Sequence, residues 1–114
     1  MIKNNFKAKS KYSVSSDVFV SYIKKKDFNT IMSLFSRMLN LNHWKDYSFT
    51  SEKNTITFCF YKNSLENPIY KIIYEKKYNN HKQWVVFQQN TKVRTSESLE
   101  KIIKWLESRY LIKI

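Results

Sequence analysis

Four segments with strand-like patterns follow one another between residues 47 and 89, and the connections between them are short. The clearest segment covers residues 55–61, where Ile56, Phe58 and Phe60 alternate with smaller or more polar residues, as in a strand with one buried face. The other segments cover residues 47–51, 69–76 and 83–89. Short connections between successive strands indicate hairpins, so the pattern predicts an antiparallel meander.

The turns of this chain must form without glycine, because the sequence contains none and has one proline. Asparagine is the remaining residue that best tolerates the left-handed region of backbone space. Lys53–Asn54 and Asn79–Asn80 lie between strand segments and are the predicted tight turns. A longer loop is expected over residues 63–68.

Helical patterns flank the strands on both sides. Asp27 is a predicted N-cap, and the apolar residues that follow it recur at helical spacing: Phe28, Ile31, Met32, Phe35, Met38 and Leu39. Near the C-terminus, Thr95 or Ser96 is the predicted cap of a second helix. Its apolar stripe consists of Leu99, Ile102, Ile103, Leu106 and Tyr110. Residues 18–23 fit a strand or a further helix equally well.

These patterns predict a single α+β domain. Its four-stranded antiparallel β-meander is flanked by an N-terminal helical segment of one or two helices and by a C-terminal helix. A length of 114 residues suits one modest hydrophobic core. We expect residues 1–13 to form a basic N-terminal arm and residues 14–114 to form the domain.

The cellular compartment is predicted from the absence of targeting and membrane-spanning patterns in the sequence. Its start has no apolar region typical of a secretory signal, and no apolar run approaches the length that spans a bilayer. The single cysteine, Cys59, allows no intramolecular disulfide and no multi-cysteine metal site. We therefore expect an intracellular protein with no transmembrane segment.

Positive charge is the strongest functional signal. Lys and Arg number 21 against 9 Asp and Glu, a net charge of +12, which favours a polyanionic partner. An AT-rich coding bias would also raise the lysine content. Only three basic residues are arginines, so contacts to the nucleic-acid backbone are expected rather than reading of bases. The lysines predicted to contact phosphates are Lys7, Lys9, Lys11, Lys24, Lys25, Lys26, Lys71, Lys76 and Lys77.

An exposed sheet face could add aromatic contacts to these charges. If Ile56, Phe58 and Phe60 face the helices, the other face is expected to carry Cys59, Tyr61, Lys71, Ile73 and Trp84. Tyr61 and Trp84 are then candidates for stacking on bases. The alternative is that this face packs against the N-terminal segment or a second copy of the chain, which leaves a homodimer open.

Other classes of function have weaker support. Lys24, Lys25 and Lys26 follow an apolar run and would suit an anionic membrane surface. Glu75 beside two lysines resembles part of a metal-dependent nuclease motif, which needs a second acid, either Glu66 or Asp46. His43 and His81 would be the acid–base pair of an RNA-cleaving enzyme. We predict no enzyme, no cofactor and no metal site.

The sequence thus predicts a small, basic, non-enzymatic protein that binds RNA or DNA through lysine–phosphate contacts. The alternative is a protein-binding module or inhibitor, encoded by a virus or mobile element, that docks on a machine that handles nucleic acid.

Overall fold

The computed structural model describes residues 23–63, 67–76 and 81–111. Its elements in chain order are α1 (Lys25–Asn40), β1 (Asp46–Glu52), β2 (Thr55–Tyr61), β3 (Tyr70–Lys76), β4 (Lys82–Gln88), β5 (Thr91–Ser96) and α2 (Leu99–Leu111). The α+β class and the C-terminal helix are confirmed. The predicted basic arm and the Asn79–Asn80 turn lie outside the described residues. Within the described ranges, neither helix is long and apolar enough to cross a membrane.

The sheet is an antiparallel meander of five strands in the order β1-β2-β3-β4-β5, so the predicted number of four was wrong. The missed strand is β5, which pairs with β4 from Gln88↔Thr91 to Trp84↔Ser96. Most of its residues are exposed, because it forms one edge of the sheet and lacks an apolar alternation. The cap of α2 is Ser98, whose Oγ accepts a hydrogen bond from the Lys101 backbone N–H at 3.3 Å.

The hydrophobic core of the described residues lies between one face of the sheet and helices α1 and α2. Phe35 of α1 stacks on Phe60 of β2 at a centroid distance of 6.2 Å. Burying a large apolar side chain stabilises the fold by about 1.5–3 kcal/mol, so this layer is the main source of stability. Its sheet-side members are Ile56, Phe58, Phe60, Tyr70, Ile72, Tyr74, Trp84 and Val86.

Both helices run in the same direction across the sheet. Near the start of α1 the Phe28 ring lies 6.1 Å from Phe58, and just past its end Trp44 lies 6.2 Å from Tyr70. Helix α2 starts after β5 and reaches Tyr70 with Arg109 in its last turn. We call the end of the sheet at which β3 ends and β4 begins the helix-start end. The other end, at which β3 begins and β4 ends, is the helix-finish end.

Left-handed backbone at three described positions takes the place that glycine often fills. Asn42, Asn54 and Gln89 have φ angles of 65°, 69° and 56°. Asn54 confirms the predicted Lys53–Asn54 turn, since it connects β1 to β2. Gln89 lies in the turn between β4 and β5, where its N–H donates to the Ile69 carbonyl at 3.1 Å.

Replacing Gln89 with glycine is expected to stabilise the protein. A left-handed residue with a Cβ costs about 1–2 kcal/mol, and this exceeds the extra chain entropy that glycine loses on folding. We expect a gain of about 0.5–1 kcal/mol in the free energy of unfolding in urea. Asn90→Gly is the matched control, since Asn90 does not have positive φ, and it should lower stability. A loss of stability in Gln89→Gly would contradict the strain argument.

Candidate nucleic-acid interface

The lysines at the start of α1 lie where a helix tolerates positive charge least. Lys24 is the N-cap, with no side-chain hydrogen bond to the helix, and Lys25 and Lys26 begin the first turn. The N-terminus of a helix already carries a partial positive charge, so cations there are unfavourable. The predicted cap, Asp27, lies inside the first turn instead. Ile23, the last residue of the preceding apolar run, is buried in the core.

A second unfavourable arrangement occurs where β3 ends. Lys76 on β3 lies directly opposite Lys82 on β4, and both are exposed. Like charges opposite one another in an antiparallel pair are destabilising. Strand alternation places both lysines on the helix side of the sheet, two residue pairs beyond Tyr74 and Trp84.

These two groups of lysines lie at the same end of the molecule. The Tyr74 pKa is raised, first by burial and second by the negative charge of Asp27, so the first turn of α1 lies near the end of β3. The contact of Phe28 with Phe58 places this residue over the middle of β2, so the residues that precede it extend toward the helix-start end. We call this surface the lysine cluster. Its members are Lys24, Lys25, Lys26, Lys76 and Lys82.

The charge of the lysine cluster is left without salt-bridge partners in the described part of the chain. The two ion pairs found there join Arg37 to Glu107 and His81 to Glu97, and neither includes a lysine. Five exposed lysines therefore lie at the helix-start end without a salt bridge to a described residue. Such a surface attracts polyanions, and phosphates in particular.

Of the other predicted phosphate-binding lysines, the one that the structure describes is not part of this surface. Lys71 is half-buried on the sheet face away from the helices, where it pairs with Cys59 and Phe87. Lys7, Lys9, Lys11 and Lys77 lie outside the described residues.

The two predicted stacking residues lie on opposite faces of the sheet. Tyr61 is half-buried on the outer face, with its hydroxyl 3.1 Å from Ser48 Oγ, and burial is the main cause of its raised pKa. Trp84 is on the helix side, only 3% exposed, with its ring 4.6 Å from Tyr74. The prediction that Trp84 lies on the exposed face was therefore wrong. A base cannot stack on this buried ring in this fold. The cause is the pairing of Trp84 with Tyr74, which fixes its face.

The structure separates the two proposed enzyme pairs whose residues are both described. His43 contacts Tyr110 at the helix-finish end, whereas His81 bonds Glu97 at the helix-start end. Asp46 and Glu75 also lie at opposite ends, because Asp46 pairs with Tyr61 and Glu75 with Thr55.

No group of three His, Cys, Asp or Glu suited to a metal occurs among the described residues. The other predicted acid, Glu66, is outside them.

Sequence reasoning missed a group of arginines around α2. The guanidinium carbons of Arg94 and Arg109 lie 5.7 Å and 4.7 Å from the Trp105 ring. Arg37 pairs with Glu107 on the same helix at 2.7 Å. The signal available in the sequence was the spacing of Trp105 and Arg109, which places them on one helix face.

Most of the chain matches the model of a known family. Residues 21–103 match the model of a family described as "Protein of unknown function (DUF2794)", and this stretch is most of the chain. The chain belongs to this family. No curated protein and no solved structure matches the chain.

The DUF2794 region includes the whole lysine cluster, since all five lysines lie within residues 21–103. It also includes every strand of the sheet and all of α1. The match ends inside α2, so Trp105 and Arg109 lie beyond it.

Proposed function

We propose that this protein binds nucleic acid through the lysine cluster and contacts the sugar-phosphate backbone rather than the bases. The observation that supports this proposal most is the opposition of Lys76 and Lys82 beside three lysines at a helix N-terminus. Both arrangements lower the stability of the free protein. A bound polyanion would remove the repulsion in both at once.

The chemistry of lysine fits contacts to phosphates. An ammonium group is a compact point charge with three rotatable donors, and it lacks the planar fork with which arginine reads guanine. Contacts of this kind neutralise phosphates and release condensed counterions, so affinity falls steeply with salt. Binding is expected to depend little on sequence.

The proposal is tested by titrating labelled single- and double-stranded RNA and DNA with the full chain across a series of salt concentrations. We expect a Kd of about 1 μM or tighter at physiological salt. A plot of log K against log salt should fall with a slope of about −3 to −4.5, as expected for four or five phosphate contacts. Binding that disappears by physiological salt would overturn the proposal.

One further experiment separates this function from the docking of a protein partner. The full chain is used to capture partners from a cell extract with and without nuclease treatment. Nucleic-acid binding predicts that captured proteins are lost after nuclease treatment. A single partner retained at equal yield after that treatment would favour a protein-binding module.

A further inference from the structure

The guanidinium of Arg109 is held in one orientation by three contacts. Its Nε donates to the Tyr70 hydroxyl at 2.8 Å, and its Nη2 donates to Gln88 Oε1 at 2.9 Å. Its planar group also lies 4.7 Å from the Trp105 ring, in cation–π contact. A side chain fixed in this way loses little conformational entropy when it binds a ligand.

These contacts use only one edge of the guanidinium. A guanidinium carries five N–H donors in a fixed plane, and the bonds to Tyr70 and Gln88 take the edge formed by Nε and Nη2. The end-on edge, with one N–H from each of Nη1 and Nη2, has no partner among the described residues. This edge matches the oxygen spacing of a carboxylate or a phosphate.

No carboxylate among the described residues neutralises the charge of Arg109. Both of its acceptors, a hydroxyl and an amide, are neutral, and no described carboxylate lies within salt-bridge distance. Arg37 at the same end of the sheet provides the contrast, because Glu107 neutralises it at 2.7 Å. The two arginines therefore differ in their capacity to bind an anion.

Arg109 borders an open surface cleft of about 460 Å³ at the helix-finish end. The cleft is lined by Ile69, Tyr70, Gln88, Arg109 and Tyr110. Apolar and aromatic side chains thus flank a single fixed cation. Sites that bind small molecules combine an apolar lining with a few placed polar groups in this way.

We propose that this cleft binds an oxyanion, a carboxylate or a phosphate carried on a small apolar body, through the end-on edge of Arg109. The site lies at the opposite end of the sheet from the lysine cluster and shares no residue with it. The inference therefore goes beyond the proposed nucleic-acid function, and the two can fail independently.

The test uses the side-chain Nε–H signals of the full chain in NMR spectra, which should contain three arginine resonances. Each is assigned with an Arg→Lys variant. Phenyl phosphate and sodium benzoate are titrated separately, so that the phosphate and the carboxylate are distinguished. We expect saturable shifts of the Arg109 signal with a Kd of about 1 mM or tighter for at least one probe. No saturable shift up to about 20 mM of either probe would overturn the proposal.

Two variants separate binding from a purely structural role of Arg109. Arg109→Lys keeps the charge but removes the planar fork, and we expect at least about tenfold weaker binding. Gln88→Glu provides an internal carboxylate at the same acceptor position. We expect it to maintain or raise the unfolding midpoint while weakening probe binding at least about tenfold.

Arg37→Lys is the matched control, because its charge is already paired with Glu107. It should bind both probes within about twofold of the natural chain. The proposal would be overturned if the Gln88→Glu variant bound the probes as tightly as the natural chain, even if Arg109→Lys failed to fold. It would also be overturned if Arg37→Lys weakened probe binding as much as Gln88→Glu does.

Discussion

Trp44→Ala is expected to lower the free energy of unfolding by about 3–5 kcal/mol. Trp44 is fully buried, and its ring stacks on Phe60 at a centroid distance of 4.4 Å. Its Nε1 donates to the Tyr110 hydroxyl at 2.9 Å and so connects the end of α1 to α2. Alanine would leave a cavity between a helix end and the sheet and would remove this bond. Such a loss is a large fraction of the total stability of a small domain.

Urea denaturation monitored by far-ultraviolet circular dichroism measures this effect. Trp44→Phe is the control, since it keeps an aromatic ring on Phe60 and removes only the N–H donor and part of the volume. We expect Trp44→Phe to cost about 1–2 kcal/mol. Equal losses in the two variants, or a loss below about 1 kcal/mol in Trp44→Ala, would contradict the packing described for Trp44.

The second large effect concerns binding. Combined replacement of Lys24, Lys25 and Lys26 with alanine is expected to weaken nucleic-acid binding about 10- to 100-fold near 100 mM salt and to flatten the salt slope by about 2–3. The same change should raise stability by a few tenths to about 1 kcal/mol, because it removes cations from the positive end of α1. Weaker nucleic-acid binding together with a higher free energy of unfolding would indicate that these three lysines serve binding and not stability. Both are measured on one preparation, by fluorescence anisotropy and by urea denaturation.

A matched control removes the same charge elsewhere. Lys45, Lys62 and Lys92 are exposed and lie at the helix-finish end of the sheet. Their combined replacement with alanine keeps the net charge equal to that of the first variant. We expect it to leave most of the salt slope intact. Similar flattening in both variants would mean that binding follows total charge and that the lysine cluster has no special role.

Strong periodic signals predicted most of the fold. Residues 55–61 alternate so regularly that both limits of β2 were predicted correctly. Strand β5 was missed altogether, because its sequence lacks an apolar alternation. The run from Trp84 to Phe87 is apolar on both faces, so its pattern alone does not show which face meets the helices. The register with β3 decides this. Register depends on pairing between strands, which a single strand sequence does not contain.

The sequence predicted only part of the candidate site. Lys24, Lys25 and Lys26 are adjacent in the chain and were recognised as a group. Strand alternation already places Lys71 and Lys76 on opposite faces, so their separation could have been foreseen. The opposition of Lys76 and Lys82 depends on the register of β3 with β4, and the approach of α1 to these lysines depends on core packing.

The order of the sheet has a consequence for how the chain folds. Each strand pairs only with its neighbours in sequence, so every hairpin closes a short loop. Short loops carry a small entropic penalty, and proteins rich in local contacts fold faster than those that must join distant segments. The slower step should be the docking of α1, whose contact with α2 joins Arg37 to Glu107 across most of the sequence. A nascent chain could thus form its sheet hairpin by hairpin and cover it when α2 arrives.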